Sequence, residues 1–220
     1  MREERFDIYD QEMNQLGTAT REETHRLGHW HRTFHCWLTH YEGSRQLVRF
    51  QQRHADKDTN PGCYDITVAG HLSAGETMQD GVRELEEELG VSAGFQQLVP
   101  LGQVREEESG YVNGKLFIDR EVSDVFGLLC DIPLMELRLQ PEEVAGVYEA
   151  DIEELLALFK GELEEIAAQG VRLAIAPNSP TGHLRLMSSE RSIRADQFVP
   201  RDVSYYIDVL QKLRSVSRTL

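Results

Sequence analysis

Strands and helices are interleaved along these 220 residues in an order that predicts an α/β/α sandwich, a mixed sheet covered by helices on both faces. Three observations carry that expectation. Short apolar, strand-like runs recur through most of the chain. Helical periodicities interrupt them rather than collecting at one end. A strand, a glycine-bearing loop and a helix follow directly on one another between residues 66 and 89. The length fits one domain spanning residues 1–220, with an N-terminal extension to about residue 30 and a C-terminal helical extension over about 177–220.

Taken in order, residues 34–41 and 45–52 read as two strands joined by a turn at Glu42-Gly43-Ser44. Residues 56–62 are polar and contain Pro-Gly, which marks a loop. A strand over 64–70 leads through a glycine loop, 70–75, into a helix over 77–89. Two more strands are expected around 97–106 and 115–130, and a short one at 145–149. Asp151 is placed to cap a helix over 152–160, with Gly161 closing it. A strand at 171–176, a loop at 177–182 and a helix over 203–216 complete the chain.

At 40% apolar residues the sequence can build a substantial core. It has no apolar run near the ~18 residues of a membrane span, and its first ten residues are charged and polar, without a secretory pattern. The cysteines at 36, 63 and 130 make no disulfide framework, so a reduced, cytoplasmic setting is expected. The formal charge is −15, from 23 basic against 38 acidic residues. Such a surface repels nucleic-acid polymers and anionic membranes. A small anionic substrate would need a cation as mediator.

The helix over 77–89 carries the chemistry. Met78, Val82, Leu85 and Leu89 recur at spacings of four, three and four, one apolar stripe. Glu84, Glu87 and Glu88 stand at i, i+3 and i+4 and gather on a different face. Three like charges repel there, and the last turn of a helix already carries partial negative charge. A divalent cation with oxygen ligands relieves both costs. Mg²⁺ is typically held by a few carboxylates together with substrate phosphates. A run of glutamates elsewhere would be a solvated face; here the loop 70–75 brings backbone groups to the same point.

At these residues the sequence resembles the Nudix family, whose signature is matched in kind by Gly70, Glu76, Arg83, Glu84, Leu85, Glu87, Glu88, Gly90 and Val91. Only six residues, 77–82, separate Glu76 from Arg83, one fewer than the family pattern. The spacing of the acids is untouched, but the entry from loop to helix must be rebuilt around Glu76. Similarity to the branch that includes isopentenyl-diphosphate isomerase extends over residues 6–38, 51–71, 119–122 and 198–201. Where the isomerases carry a catalytic cysteine before the loop Gly-His, this chain has Ala69, and Cys63 lies six residues upstream.

The resemblance implies a Nudix-type α/β/α sandwich and a hydrolase that cleaves a diphosphate linkage in a nucleoside or other organic diphosphate, using Mg²⁺ (or Mn²⁺). Glu84, Glu87, Glu88 and the carbonyl of Gly70 would hold metal. Glu84, Glu87 and, from outside the motif, Glu121 would be catalytic, positioning or deprotonating water. Arg83 would be structural. Arg53, Lys57 and His71 would meet the substrate: Arg53 and Lys57 are preferred over Arg45, Arg49 and Lys115 because they flank the segment before the glycine loop, and His71 because that loop carries it beside the acidic helix. The branch also implies a second metal set in His25, His31, His71, Asp119 and Glu121. It admits monomers and homodimers. Glu106, Glu107 and Glu108 read as solvated, and Trp30, Trp37 and Tyr64 as core. The alternatives are an isomerase of isopentenyl diphosphate, which Ala69 opposes, and a non-catalytic nucleotide- or metabolite-sensing module, which the intact acids oppose.

Overall fold

A computed structural model describes residues 3–112, 114–175 and 183–216. The chain opens with an antiparallel ribbon, β1 (Arg5–Tyr9) and β2 (Gln15–Thr20). Helix α1 (Arg21–Leu27) follows, started by a capping box between Thr20 and Glu23. The extension expected over the first thirty residues is therefore ordered structure.

The main sheet contains β3 (His31–Glu42), β4 (Arg45–Arg53), β5 (Tyr64–Asp65), β6 (Val68–His71), β7 (Val99–Val112) and β8 (Lys115–Leu129). It continues with β9 (Val144–Asp151), β10 (Ile166–Ile175) and β11 (Leu184–Ile193). The path of the sheet is β11-β10-β9-β4-β3-β8-β7, with β5 on β4 and β6 on β3. β3 and β8 run parallel and the other pairs are antiparallel, which makes the sheet mixed as expected.

Helix α2 (Arg83–Leu89) covers one face, where Leu85 and Leu89 pack on Phe34, Cys36 and Leu38 of β3. Helices α3 (Ile152–Phe159) and α4 (Val203–Leu213) cover the other, packing on Trp37, Phe50 and Tyr148. Alternation along β3 separates the two cores: Phe34, Cys36 and Leu38 point one way, Trp37 the other. Trp37 and Tyr64 belong to the core, and Trp30 is 9% exposed.

Several expectations need correcting. The acidic helix begins at Arg83, after a 3-10 turn at Asp80–Val82, and not at residue 77. Asp80 Oδ2 accepts from both the backbone N–H and the hydroxyl of Thr77, tying that stretch as a turn. The strand over 64–70 is two pieces, β5 and β6. The strand expected at 97–106 starts at Val99 and runs on to Val112. The segment expected as a helical extension after residue 177 contributes β11 to the sheet before it forms α4. The loop at 177–182 lies outside the described residues.

One feature of the topology opens the site. β6 pairs with the first half of β3, at Thr33–Cys36, and β4 with its second half, at Thr39–Glu42. Two strands thus share one side of β3 and must diverge, β4 towards β5 and β9, β6 towards α2.

Candidate active site

The divergence leaves a cleft of about 590 Å³ bounded by β3, β6, α2, the β7–β8 hairpin and the segment before α4. On one wall stands α2. Its N-terminal residue Arg83 grips Glu76 with two hydrogen bonds, Nε to Oε1 at 2.8 Å and Nη2 to Oε2 at 2.9 Å. It also donates to Glu84 at 2.7 Å, to Glu87 at 3.0 Å and to the carbonyl of His71 at 3.2 Å. Glu76 in turn accepts from the Ser73 N–H at 2.7 Å. The Arg83–Glu76 pair locks the glycine loop to the helix, which is how the shortened entry is rebuilt. Arg83 is structural, as expected.

Gly90, at φ +68°, ends α2 in the left-handed conformation that glycine favours. Gly70 lies directly against Glu84: a Cβ there would fall 2.2 Å from the carboxyl carbon. Glu88 is 5% exposed and receives a hydrogen bond from Gln51 Nε2 at 3.1 Å. Burial, partly offset by Arg83, pushes the Glu84 carboxyl up to about 7. Burial also pushes Glu88 well above the usual range, with the charges of Glu84 and Glu143 adding to it. A protein that buries carboxylates in this way favours a cation beside them.

On the opposite wall His25, His31, His71, Asp119 and Glu121 converge. His25 Nε2 and His31 Nε2 lie 3.4 and 3.6 Å from Asp119 Oδ1; His31 Nε2 and His71 Nε2 lie 3.6 and 3.2 Å from Glu121 Oε1. Despite these approaches the three Nε2 atoms and Asp119 Oδ1 are buried without a hydrogen-bond partner. Buried polar atoms are rarely left so. His31 Nδ1 faces the carbonyl of His29 at 3.2 Å, which directs Nε2 to the cluster. Phe6 stacks on His31 and His71, with ring centroids 5.3 and 4.7 Å away, and Phe117 stacks on His25 at 4.4 Å. Rings held this firmly, with a ligand nitrogen of each within 4.8 Å of the others, fit a metal ion.

Of the residues expected to meet substrate, all three line the cleft, but two are already engaged. Arg53 donates to Asp65 at 3.1 Å and to the carbonyl and hydroxyl of Thr59. It holds the loop after β4, a structural task. Lys57 is ion-paired with Glu143. Arg49, one of the other basic candidates, is 2% exposed and paired with Glu149 at 3.1 Å.

Sequence reasoning missed Arg201 and Glu106. Arg201 reaches the cleft from the segment before α4 and binds Asp65 at 2.6 Å and Glu106 at 3.3 Å. Glu106, expected to be solvated, is partly buried on the cleft wall. No local pattern marks Arg201, since its partners lie 136 and 95 residues away. Counting outward from the β7–β8 turn, Val112 opposite Lys115, would have found Glu106 opposite Glu121.

The NUDIX domain family model matches residues 29–169. An uncharacterized Nudix hydrolase of Clostridium acetobutylicum is 36% identical over 213 residues, 97% of this chain and 98% of its own length. Another, from Listeria monocytogenes, is 31% identical over 157 residues, 70% of this chain and 84% of its own. The crystal structure of DR0079 from Deinococcus radiodurans shares the fold, with a TM-score of 0.53 at 22% identity over 72% of this chain and 90% of that one. The family match spans the strand, glycine loop and acidic helix just described, and the likeness to the clostridial protein runs nearly end to end; the chain belongs to the Nudix hydrolase family.

Proposed function

We propose that this Nudix hydrolase cleaves a diphosphate linkage in a nucleoside or other organic diphosphate with the help of Mg²⁺ or Mn²⁺, and that it belongs to the branch similar to isopentenyl-diphosphate isomerase. The observation that carries the reading is the pairing, across one cleft, of the α2 carboxylates with a five-residue ligand set. Glu84, Glu87, Glu88 and the Gly70 carbonyl would hold metal on one side, and His25, His31, His71, Asp119 and Glu121 on the other. A divalent ion bound at the α2 acids polarises phosphoryl oxygens and lowers the pKa of a bound water.

The chain's own residues then divide the work. Glu84 and Glu87 orient or deprotonate the water from α2, and Glu121 does so from the facing wall. Lys57, already paired with Glu143, would share its positive charge with the phosphates, and Arg53 frames the loop that carries it. The acids and Arg83 form a fixed frame that would hold the metal in place for the diphosphate.

An isomerase reaction is disfavoured by chemistry. Ala69 faces the cleft, and no cysteine is among its described lining residues. The branch assignment rests on the second ligand set, which the branch implied and which converges here. A reduced, cytoplasmic setting agrees with the three cysteines, all free thiols, and among the described residues no helix is long and apolar enough to cross a membrane.

The test is product release from a panel of diphosphate compounds, isopentenyl diphosphate included, with Mg²⁺ or Mn²⁺, beside a Glu87→Gln, Glu88→Gln variant. Metal-dependent cleavage that the variant loses supports the hydrolase. Double-bond migration without cleavage would replace it with an isomerase, and tight binding without turnover with a sensing module.

A further inference from the structure

Glu121 belongs to more than the ligand set just described. Its carboxylate also lies with His35 and Glu106, the ligand atoms of the three all within 4.8 Å of one another. We infer that His35, Glu106 and Glu121 form a separate divalent-cation site, and that Glu121 is shared between it and the neighbouring His25/His31/His71/Asp119 site, making a two-ion centre on the cleft floor.

The sheet itself places these residues. His31, Thr33 and His35 occupy successive positions on one face of β3. Glu121 of β8 stands beside His31 in parallel register, and Glu106 of β7 stands directly opposite Glu121 in antiparallel register. Two carboxylates facing each other across a strand pair repel and destabilise the sheet unless a cation lies between or beside them. Arg201 answers only part of that need. Its contact to Asp65, at 2.6 Å, is much closer than its contacts to Glu106, at 3.3 and 3.4 Å.

His35 is 2% exposed, so its ring is positioned by packing and not by solvent. Its Nδ1 meets the hydroxyl of Tyr205 at 3.2 Å, and that hydroxyl also accepts from Trp37 Nε1 at 3.2 Å. With Nδ1 occupied, Nε2 is the nitrogen left for a ligand. A histidine that ligates through one nitrogen while the other is fixed by a hydrogen bond is the usual arrangement at metal sites. The alternative, a buried histidine satisfied by hydrogen bonds alone, explains the Tyr205 contact. It does not explain why two opposed carboxylates come within 4.8 Å of a nitrogen of the same ring. One imidazole and two carboxylates suit Mn²⁺, Fe²⁺ or Zn²⁺ better than Mg²⁺. A carboxylate shared by two ions is a recurrent way of building paired centres.

The inference rests on the proposed neighbouring site for the shared role of Glu121, and the experiment separates the two. Bound Mn²⁺ is measured by equilibrium dialysis with elemental analysis, and by electron paramagnetic resonance, in a Glu84→Gln, Glu87→Gln, Glu88→Gln background that removes the α2 carboxylates. About two tight ions per chain with a spin-coupled spectrum are expected. Adding His35→Gln should remove about one ion and leave the six-line spectrum of an isolated ion. Glu106→Gln, which keeps its size and can still accept from Arg201, should do the same, and circular dichroism checks that each variant is folded. An ion count unchanged by both variants would overturn the inference. A count unchanged by His25→Ala would instead count against the neighbouring site alone.

Discussion

A Cβ on Gly70 would fall 2.3 Å from Glu84 Oε1, so a side chain there must push a proposed metal ligand aside. Gly70→Ala is therefore expected to lower Mn²⁺ affinity, and with it metal-dependent turnover, by about 10–100-fold while the chain still folds. A metal titration read by activity and by calorimetry checks it. Asp65 is the residue on which the other wall depends. It is 1% exposed, accepts from Arg53 and Arg201, and also caps the Ile66 N–H at 2.8 Å. Burial would raise its carboxyl, but the two arginines outweigh burial and hold it below its ordinary value. A folded value lower than the unfolded one adds stability above about pH 4, and that stability is lost as pH falls through the folded value. Asp65→Asn removes the main carboxylate partner of two largely buried guanidinium groups and should cost about 3–5 kcal/mol in urea unfolding near neutral pH. Its stability should also fall less steeply than the wild type's below about pH 4. Residue spacing was enough to read Glu84, Glu87 and Glu88, because one helix places them. It was not enough for Arg53, whose donors are spent on Asp65 and Thr59, partners that become neighbours only through the fold.

At the scale of elements, the expectations that rest on a cap or a turn agree with the structure. Asp151 caps α3 as expected, its Oδ1 accepting from the Glu153 N–H at 2.9 Å while Oδ2 takes Arg45 Nε at 2.9 Å. Asp151→Ala should cost about 1 kcal/mol, read as a shift in the unfolding midpoint with an unchanged slope. The hairpin of β3 and β4 follows its apolar pattern and its Glu42-Gly43-Ser44 turn. The misses have physical causes. β11 buries few of its side chains, so no alternation marks it; backbone bonding to β10 holds it at the sheet edge. Met78 and Val82 keep the spacing of the apolar stripe and pack against the α2-side core, yet the backbone around them is turn and 3-10 helix. Apolar spacing reports which way a side chain points, and a tight turn satisfies it as well as a helix does.

For the molecule as a whole, the proposed ions and the fold should be linked. Buried histidine nitrogens without partners and buried carboxylates are costs that a bound cation would lift, so metal should stabilise the native state. Removing metal with a chelator is expected to lower the melting temperature by about 5–10 °C relative to Mn²⁺ at roughly a hundredfold excess over its Kd. Re-addition should restore it, and differential scanning calorimetry with and without chelator is the check. With 38 acidic against 23 basic residues, the proposed diphosphate would have to meet the cleft through local cations. The family, the α/β class, the acid cluster of α2 and the cap of α3 were all decided by the sequence, because each depends on spacing within one element or on a contiguous motif. Only the tertiary structure decided that β4 and β6 diverge from β3 to open a cleft, that Arg201 and Asp65 close its wall, and that Glu106 and His35 meet Glu121. Those contacts join residues up to 136 positions apart, and the strand pairing and burial that create them depend on every element folding at once.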